Sequence, residues 1–112
     1  MSTQEKLDEA VSLYKETLKI DPGYAKAHYN LGNIFFNQGK TKEAFMHYAE
    51  AIKDKPDYVQ AYNKLGLIML KQGKFKKAKV FFTKAIQIEP NYSEAHKNLE
   101  LVIQTLSSRG TS

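Results

Sequence analysis

The sequence predicts an all-α fold, a right-handed superhelix (solenoid) of stacked antiparallel helix pairs with six helices in total. The first observation behind this prediction is a repeat of 34 residues, at which Pro22, Pro56 and Pro90 recur. The second is that each period holds two stretches whose apolar residues follow helical spacing, while no stretch predicts a β-strand. Other columns recur without an insertion: Tyr24, Tyr58 and Tyr92; Ala27, Ala61 and Ala95; Leu31, Leu65 and Leu99; and Ala10, Ala44 and Ala78.

The first element, residues 3–24, is half a repeat that matches only the second helix of a unit. Its apolar face keeps Leu7, Ala10, Val11 and Tyr14 for a first helix that this sequence does not contain. We therefore expect either that the chain belongs to a longer array or that another molecule fills this place. If a second copy fills it, these four residues are the self-association site.

The second element, residues 25–58, is a full repeat of two amphipathic helices. Gly39 separates the helices, and the second is predicted from Thr41 to Asp54 because Pro56 lacks the amide hydrogen that would continue it. The inward faces are mostly apolar or small: Ala27, His28, Leu31, Gly32, Ile34 and Phe35 on the first helix, and Ala44, Phe45, Tyr48, Ala51 and Ile52 on the second.

The third element, residues 59–92, copies this plan, and the fourth, residues 93–106, matches only the first helix of a unit. In this last helix Glu100 stands at the column of Gly32 and Gly66, where a second helix approaches closely. A charge there would be desolvated without a partner, which predicts that the helix is a cap. Residues 107–112 are predicted to form a flexible tail.

Composition and charge argue against a disulfide-linked, secreted or membrane-spanning protein. The 112 residues include no cysteine, which excludes disulfides and thiolate metal sites and predicts a cytoplasmic protein. The charged first residues do not resemble a secretory signal, and no apolar stretch approaches the ~20 residues of a membrane span. The formal net charge of +5 comes from residues 57–112, which contain nine Lys or Arg residues and four acidic residues.

No arrangement of residues predicts catalysis, a metal site or a cofactor, so the chain is not expected to be an enzyme. His28, His47 and His96 accompany no metal-binding motif, and His28 and His96 share one repeat column, which predicts packing roles. The glycines follow no strand, as a phosphate-binding loop would require. No serine or carboxylate stands at a spacing that pairs a nucleophile with a base.

At these columns the sequence resembles the tetratricopeptide repeat family. The family pattern is an aromatic, Leu-Gly and an aromatic, followed by Ala, an aromatic, Ala and Pro. The resemblance covers about Leu7 to Leu106, with His28 and Met69 replacing the expected aromatics, and implies a protein-interaction module that acts as an adaptor or scaffold. The matching residues are His28, Leu31, Gly32, Phe35, Ala44, Tyr48, Ala51 and Pro56, and then Tyr62, Leu65, Gly66, Met69, Ala78, Phe82, Ala85 and Pro90.

The resemblance also implies a concave groove, lined by the first helices of successive units, that binds a peptide or helix of a partner protein. A helical-wheel argument agrees, because the matching positions lie opposite the inward face of each helix. The expected groove residues are Lys26, Tyr29, Asn30, Asn33, Phe36, Asn37, Gln60, Asn63, Lys64, Leu67, Leu70, Lys71, Lys97, Asn98 and Leu101, with Glu94, Gln104 and Thr105 on the same face.

A subfamily test is possible at five of these positions. Family members that bind chaperone tails use a carboxylate clamp of Lys and Asn on the first groove helix, Asn on the second, and Lys and Arg on the third. The corresponding residues here are Tyr29, Asn33, Lys64, Glu94 and Asn98, of which only Asn33 has the clamp's residue type. A clamp of that type is therefore not expected.

Two other functions stay open beside the groove. One is a homo-oligomeric assembly through the first helix, as above. The other is nucleic-acid binding by the basic second half, which is disfavoured because Phe75, Phe81 and Phe82 are expected in the core, where they cannot stack on bases. The lysines concerned are Lys71, Lys74, Lys76, Lys77, Lys79 and Lys84.

Overall fold

The computed structural model describes residues 3–109, which form six α-helices and no strand. The helices match the predicted all-α repeat, with each turn at a predicted Gly or Pro. They are α1 (Thr3–Ile20), α2 (Ala25–Asn37), α3 (Thr41–Asp54), α4 (Val59–Lys71), α5 (Phe75–Ile88) and α6 (Ser93–Ser108).

The chain divides into two compact units, and the first ends at Pro56. Within it α2 packs against both α1 and α3. Gly32 allows the close approach of α3, because a Cβ built at this glycine would lie 2.6 Å from Cε1 of Tyr48. The buried side chains of this unit are Ala27, Leu31, Ala44, Tyr48 and Ala51.

Tight glycine turns end α2 and α4 in the same way. Gly39 has φ +76° and Gly73 has φ +74°, the left-handed region that only glycine adopts without strain. The amide of Lys40 donates to the carbonyl oxygen of Phe35 at 2.9 Å, which closes the end of α2. These turns let the second helix of each pair fold back on the first.

The second unit begins at Asp57 and repeats the glycine contact. Here α5 packs against α4 and α6, and α4 also contacts α6. A Cβ at Gly66 would collide with the Phe82 ring, so α4 and α5 approach as closely as α2 and α3 do. The buried side chains are Val59, Ala61, Asn63, Leu65, Ile68, Met69, Ala78, Phe82, Ala85, Ala95 and Val102.

The two ends of the repeat differ from its middle. No residue of α1 is buried, whereas every other helix buries at least two. Glu100 is exposed in α6, and its capping role stays a prediction. The helix ends at Ser108, two residues beyond the predicted end, and residues 110–112 of the predicted tail lie outside the described part. No helix within residues 3–109 has both the length and the apolar character to cross a bilayer.

Candidate functional site

The outward face of α2 is organised around the buried ring of Tyr48 on α3. The rings of Tyr29 and Phe36 contact Tyr48, with centroids 5.7 Å and 6.5 Å from its own. The Tyr48 hydroxyl donates to Oδ1 of Asn33 at 2.5 Å. Three of the predicted groove residues therefore share one support beneath them.

The Tyr48 hydroxyl is the donor in its hydrogen bond to Asn33. Burial raises the pKa of the Tyr48 hydroxyl, and the neighbouring Tyr29 raises it further, so the group stays a donor at neutral pH. Because Oδ1 of Asn33 accepts this bond, its Nδ2 is the atom that can donate to a bound molecule. The carbonyl oxygens of an extended peptide fit such a donor.

The remaining predicted residues of α2 surround this centre. Lys26 and Asn37 are exposed, while Asn30 is half-buried. Tyr29, Asn33 and Phe36 are half-buried as well. The α2 face therefore presents aromatic and amide groups, with one lysine at its first turn.

In the second unit, α4 and α6 carry a chain of hydrogen bonds between their side chains. Nδ2 of Asn98 donates to Oδ1 of Asn63 at 3.1 Å, and Nδ2 of Asn63 donates to Oε2 of Glu94 at 3.1 Å. The Tyr92 hydroxyl also donates to Oε2 of Glu94, at 3.4 Å. This network fixes α6 beside α4 and orients the Asn98 amide.

The network corrects the prediction for Asn63, which was expected to contact a partner directly. Only 1% of Asn63 is exposed, and both ends of its amide are occupied by Glu94 and Asn98. Asn63 therefore offers almost no surface to a partner. Glu94 belongs to the same network, where its carboxylate accepts hydrogen bonds from Asn63 and Tyr92.

Above this network lies an open cavity of about 240 Å³ between α4 and α6. Leu67 supplies its apolar wall, and Lys64 and Lys97 stand beside it, with Glu94 as the acidic residue of the lining. The lysines give the cavity a net positive charge. The full lining is Asn63, Lys64, Leu67, Glu94, Lys97 and Asn98.

Other predicted groove residues extend this α4–α6 face, which we define as the cavity lining together with Leu70, Lys71 and Leu101. Leu70 is half-buried, Lys71 is exposed, and half of Leu101 is exposed. Gln60 is exposed at the first turn of α4, and Gln104 is exposed near the end of α6. The Thr105 hydroxyl donates to the Leu101 carbonyl of its own helix.

The predicted self-association residues on α1 are all half-buried: Leu7, Ala10, Val11 and Tyr14. Two apolar residues that the repeat columns did not single out are more exposed, Leu13 at 62% and Ile20 at 85%. The only sign of this exposure in the sequence is that Leu13 and Ile20 are large apolar residues outside the inward-facing positions of α1.

All six lysines of the basic segment are exposed. Phe82 is buried as predicted, but Phe75 and Phe81 are only half-buried. Phe75 lines an open cavity of about 390 Å³, and the Arg109 guanidinium lies 5.0 Å from its ring centre. We define this region as the basic end: Gly73, Lys74, Phe75, Lys76, Lys77, Leu106 and Arg109.

The histidines of the first unit form a contact that the sequence did not predict. Nδ1 of His28 lies 3.2 Å from Nδ1 of His47, and the His47 ring stacks on Phe35. Burial lowers the pKa of His47, and the nearby His28 and Lys15 lower it further. His96 is exposed, and its Nε2 lies 2.7 Å from the Pro90 carbonyl oxygen, so it is not the packing residue that its column predicted.

Family comparison agrees with the repeat. Residues 3–39 and 32–73 match a model described as TPR repeat, and residues 59–92 match one described as tetratricopeptide repeat. A comparison with curated protein sequences found no match.

Solved structures share the fold over almost the whole chain. One is the first TPR of Spaghetti (RPAP3) bound to the HSP90 peptide SRMEEVD, with 27% identity, TM-score 0.84, and coverage of 93% of this chain and 82% of that chain. The first TPR domain of human RPAP3 has 28% identity and TM-score 0.84, covering 97% and 86%. The Sgt2 TPR domain from Aspergillus fumigatus, at 22% identity and TM-score 0.84, covers 97% and 74% and supports the fold alone.

Proposed function

Because the chain belongs to the tetratricopeptide repeat family, whose domains are protein-interaction modules, we propose that it is an adaptor that binds an acidic, extended peptide of a partner protein. The main contact is the α4–α6 face of the second unit. The observation that carries the proposal is its cavity, in which an apolar wall and two lysines stand over a fixed amide network.

Each part of this face has a partner group that fits it. Leu67 and Leu101 accept an apolar side chain, while Lys64 and Lys97 attract carboxylates. The Asn98 amide, oriented by Asn63, bonds to the peptide backbone. A segment with an apolar residue between acidic ones satisfies all three, and an extended backbone reaches them along one helix face.

The α2 face is proposed to bind peptide in a similar way but with aromatic anchors. Tyr29 and Phe36 supply large apolar surface at low entropic cost, and Asn33 supplies a backbone donor. This face carries less charge than the α4–α6 face. It therefore favours apolar or aromatic residues of the partner.

The solved relative supports an acidic ligand. The peptide bound to the first TPR of Spaghetti, SRMEEVD, has three acidic residues and one basic residue. The present chain carries Tyr29, Lys64, Glu94 and Asn98 where the clamp of chaperone-tail binders has other residue types. We therefore propose that it recognises acidic side chains within a segment, rather than a terminal carboxylate held by that clamp.

Chemical-shift mapping tests the proposal. Acidic seven-residue peptides with one central Leu would be titrated into isotope-labelled protein, beside matched peptides in which Gln replaces every acid. We expect the acidic peptides to shift the signals of Leu67, Lys97 and Asn98, and the neutral ones to bind at least about tenfold more weakly. Equal binding of the two sets, or shifts confined to the basic end, would contradict it.

The exposure of α1 favours a second candidate function, assembly of identical chains. No residue of α1 is buried: Val11 is half-buried, and Leu13 and Ile20 are largely exposed on the other side of the helix. A charge introduced by Val11→Glu should reduce self-association measured by sedimentation at high micromolar concentration. A wild-type chain that stays monomeric there rejects this candidate while leaving peptide binding open.

A further inference from the structure

Potential metal ligands meet on the side of the first unit, where α2 and α3 face each other. Ligand atoms of His28, Glu50 and Asp54 all lie within 4.8 Å of one another. His28 comes from α2, and the two carboxylates come from α3, four residues apart on one side of that helix. His47, three residues before Glu50, stands on the same side and contacts His28.

The repeat shows that this cluster is not a general feature of the fold. Adding 34 to each number gives the corresponding columns of the second unit, which hold no second set of ligands. There the residues are Tyr62 for His28, Phe81 for His47, Lys84 for Glu50 and Ile88 for Asp54. Four ligand-type residues thus replace two aromatics, a lysine and an isoleucine in one unit only.

The two nitrogens of His28 have different surroundings. Nδ1 is 3.2 Å from Nδ1 of His47, and Nε2 is 3.3 Å from the Pro22 carbonyl oxygen. The second contact is long for a hydrogen bond, so Nε2 can exchange it for a metal at small cost. The carbonyl oxygen accepts in this contact, so Nε2 carries the ring proton there. With a metal on Nε2, the neutral ring carries its proton on Nδ1 instead and donates it to His47, which is the usual way in which a ligating histidine is oriented.

We propose that His28, Glu50 and Asp54 form a zinc-binding site that joins α2 to α3, with His47 as the positioning residue for the His28 ring. Zinc takes imidazole nitrogen and carboxylate oxygen at about 2.0–2.2 Å, so tetrahedral ligands stand roughly 3.3–3.6 Å apart. Glu50 and Asp54 are exposed. Their side chains are therefore free to rotate, and we expect rotation to close the present separation without moving a helix.

The donor set selects the class of ion. One imidazole and two carboxylates suit Zn²⁺ and its transition-metal neighbours, whereas Ca²⁺ and Mg²⁺ prefer six or more oxygens. Asp21 adds negative charge nearby, since a Cβ built at Gly23 would lie 3.9 Å from carboxylate oxygens of both Asp21 and Asp54. Three protein ligands leave the fourth tetrahedral position to water.

Titration of the untagged full chain with ZnCl₂ at pH 7.5, followed by calorimetry, tests the site. We expect one Zn²⁺ per chain and a higher melting temperature with zinc. Glu50→Gln and Asp54→Asn should each weaken binding by about tenfold or more and abolish the thermal shift. Both side chains are exposed, so these variants should fold, whereas His28→Gln is a further test only if it folds.

The chain offers matched controls for this experiment. Glu43→Gln removes an exposed carboxylate from the same face of α3 but about 10 Å along the helix from Glu50, too far to join the site. His96→Gln removes the histidine that occupies the His28 column in the last half repeat. Neither should change the affinity. His47→Phe, which installs the residue of the second unit, should weaken binding less than Asp54→Asn does.

Three results would overturn the proposal. The first is no zinc binding at up to about 1 mM, and the second is binding that the Glu50 and Asp54 variants leave intact. The third is Ca²⁺ or Mg²⁺ binding as tight as that of Zn²⁺, because imidazole would then not be a ligand. None of these outcomes bears on peptide binding by the α4–α6 face.

Discussion

The two units bury an aromatic ring at the same repeat column but surround it differently. In the first unit the ring is Tyr48, and its hydroxyl bonds to Asn33. In the second unit the ring is Phe82, and the column of Asn33 holds Leu67. A polar pair in one unit thus replaces an apolar pair in the other, while Gly32 and Gly66 meet both rings at close range.

The two units therefore share the shape of this contact but not its polarity. The buried ring fixes the distance between paired helices, and the residue above it sets the character of the outward face. Asn33 places an amide on the outward face of α2, whereas Leu67 forms an apolar wall of the cavity beside α4. The outward faces of the two units therefore differ in polarity although the backbones beneath them follow one plan.

The largest expected effect concerns a column that the units share. Leu31 and Leu65 are both almost completely buried, with exposures of 0% and 1%. Leu31→Ala and Leu65→Ala should each lower the free energy of unfolding by about 2–5 kcal/mol, because each removes buried methyl groups and leaves a cavity. Chemical denaturation measures this, and a loss below about 0.5 kcal/mol would show that the inward face is misassigned.

A smaller loss of stability is expected when the buried phenylalanine of the second unit is replaced by the tyrosine found in the first. Phe82→Tyr should destabilise the chain by about 1–3 kcal/mol, because Leu67 cannot accept the buried hydroxyl. Adding Leu67→Asn should recover part of this loss. A double-mutant cycle by denaturation gives the coupling, and additive effects would mean that the two columns do not interact in this way.

The reverse change should cost less. Tyr48→Phe leaves Asn33 without its donor but removes no apolar volume, so we expect a loss of about 0.5–1.5 kcal/mol. Asn33 is half-buried, and water can replace part of the bond. Full retention of stability in Tyr48→Phe would imply that the bond contributes nothing beyond shape.

The Tyr48 hydroxyl also predicts a dependence on alkaline pH. Its pKa is raised in the folded chain above the ordinary value of 10.0, so the folded state holds this proton more tightly than the unfolded state does. The resulting stability is complete below about pH 10 and is lost as the pH rises towards the folded pKa. Tyr48→Phe should show a smaller fall in melting temperature between pH 9 and pH 11.

Most of the fold could be predicted from the sequence because its signals are local and repeated. Proline and glycine mark the helix ends, and the small columns at Gly32 and Gly66 mark the close contacts. The helix bounds of Thr41–Asp54 were predicted from Pro56 and from apolar periodicity and are confirmed. These signals depend on residue type and position alone, so they can be read without knowing the orientation of any side chain.

The candidate site was less predictable because it depends on side chains from different helices. The repeat position of Asn63 places it on the expected face. Its amide is nevertheless buried, because it forms hydrogen bonds with Glu94 and Asn98 of α6. The contact of His28 with His47 likewise requires the register of α2 against α3. The repeat did contain a signal for this contact. Tyr62 and Phe81, the residues 34 positions after His28 and His47, are both aromatic, which indicates that the two columns pack against each other.

We expect the α4–α6 face, and not the basic end, to hold the partner peptide. The most direct measurement is a fluorescence-anisotropy titration of an acidic peptide against the wild type and two variants, with circular dichroism to verify folding. Leu67→Ala should weaken binding by about 1–3 kcal/mol, because binding energy concentrates in a few large side chains. The control, Lys76→Gln with Lys77→Gln, keeps the α4–α6 face and should change mainly the salt dependence. Wild-type affinity in Leu67→Ala, together with lost affinity in the double lysine variant, would show that the basic end binds the peptide instead.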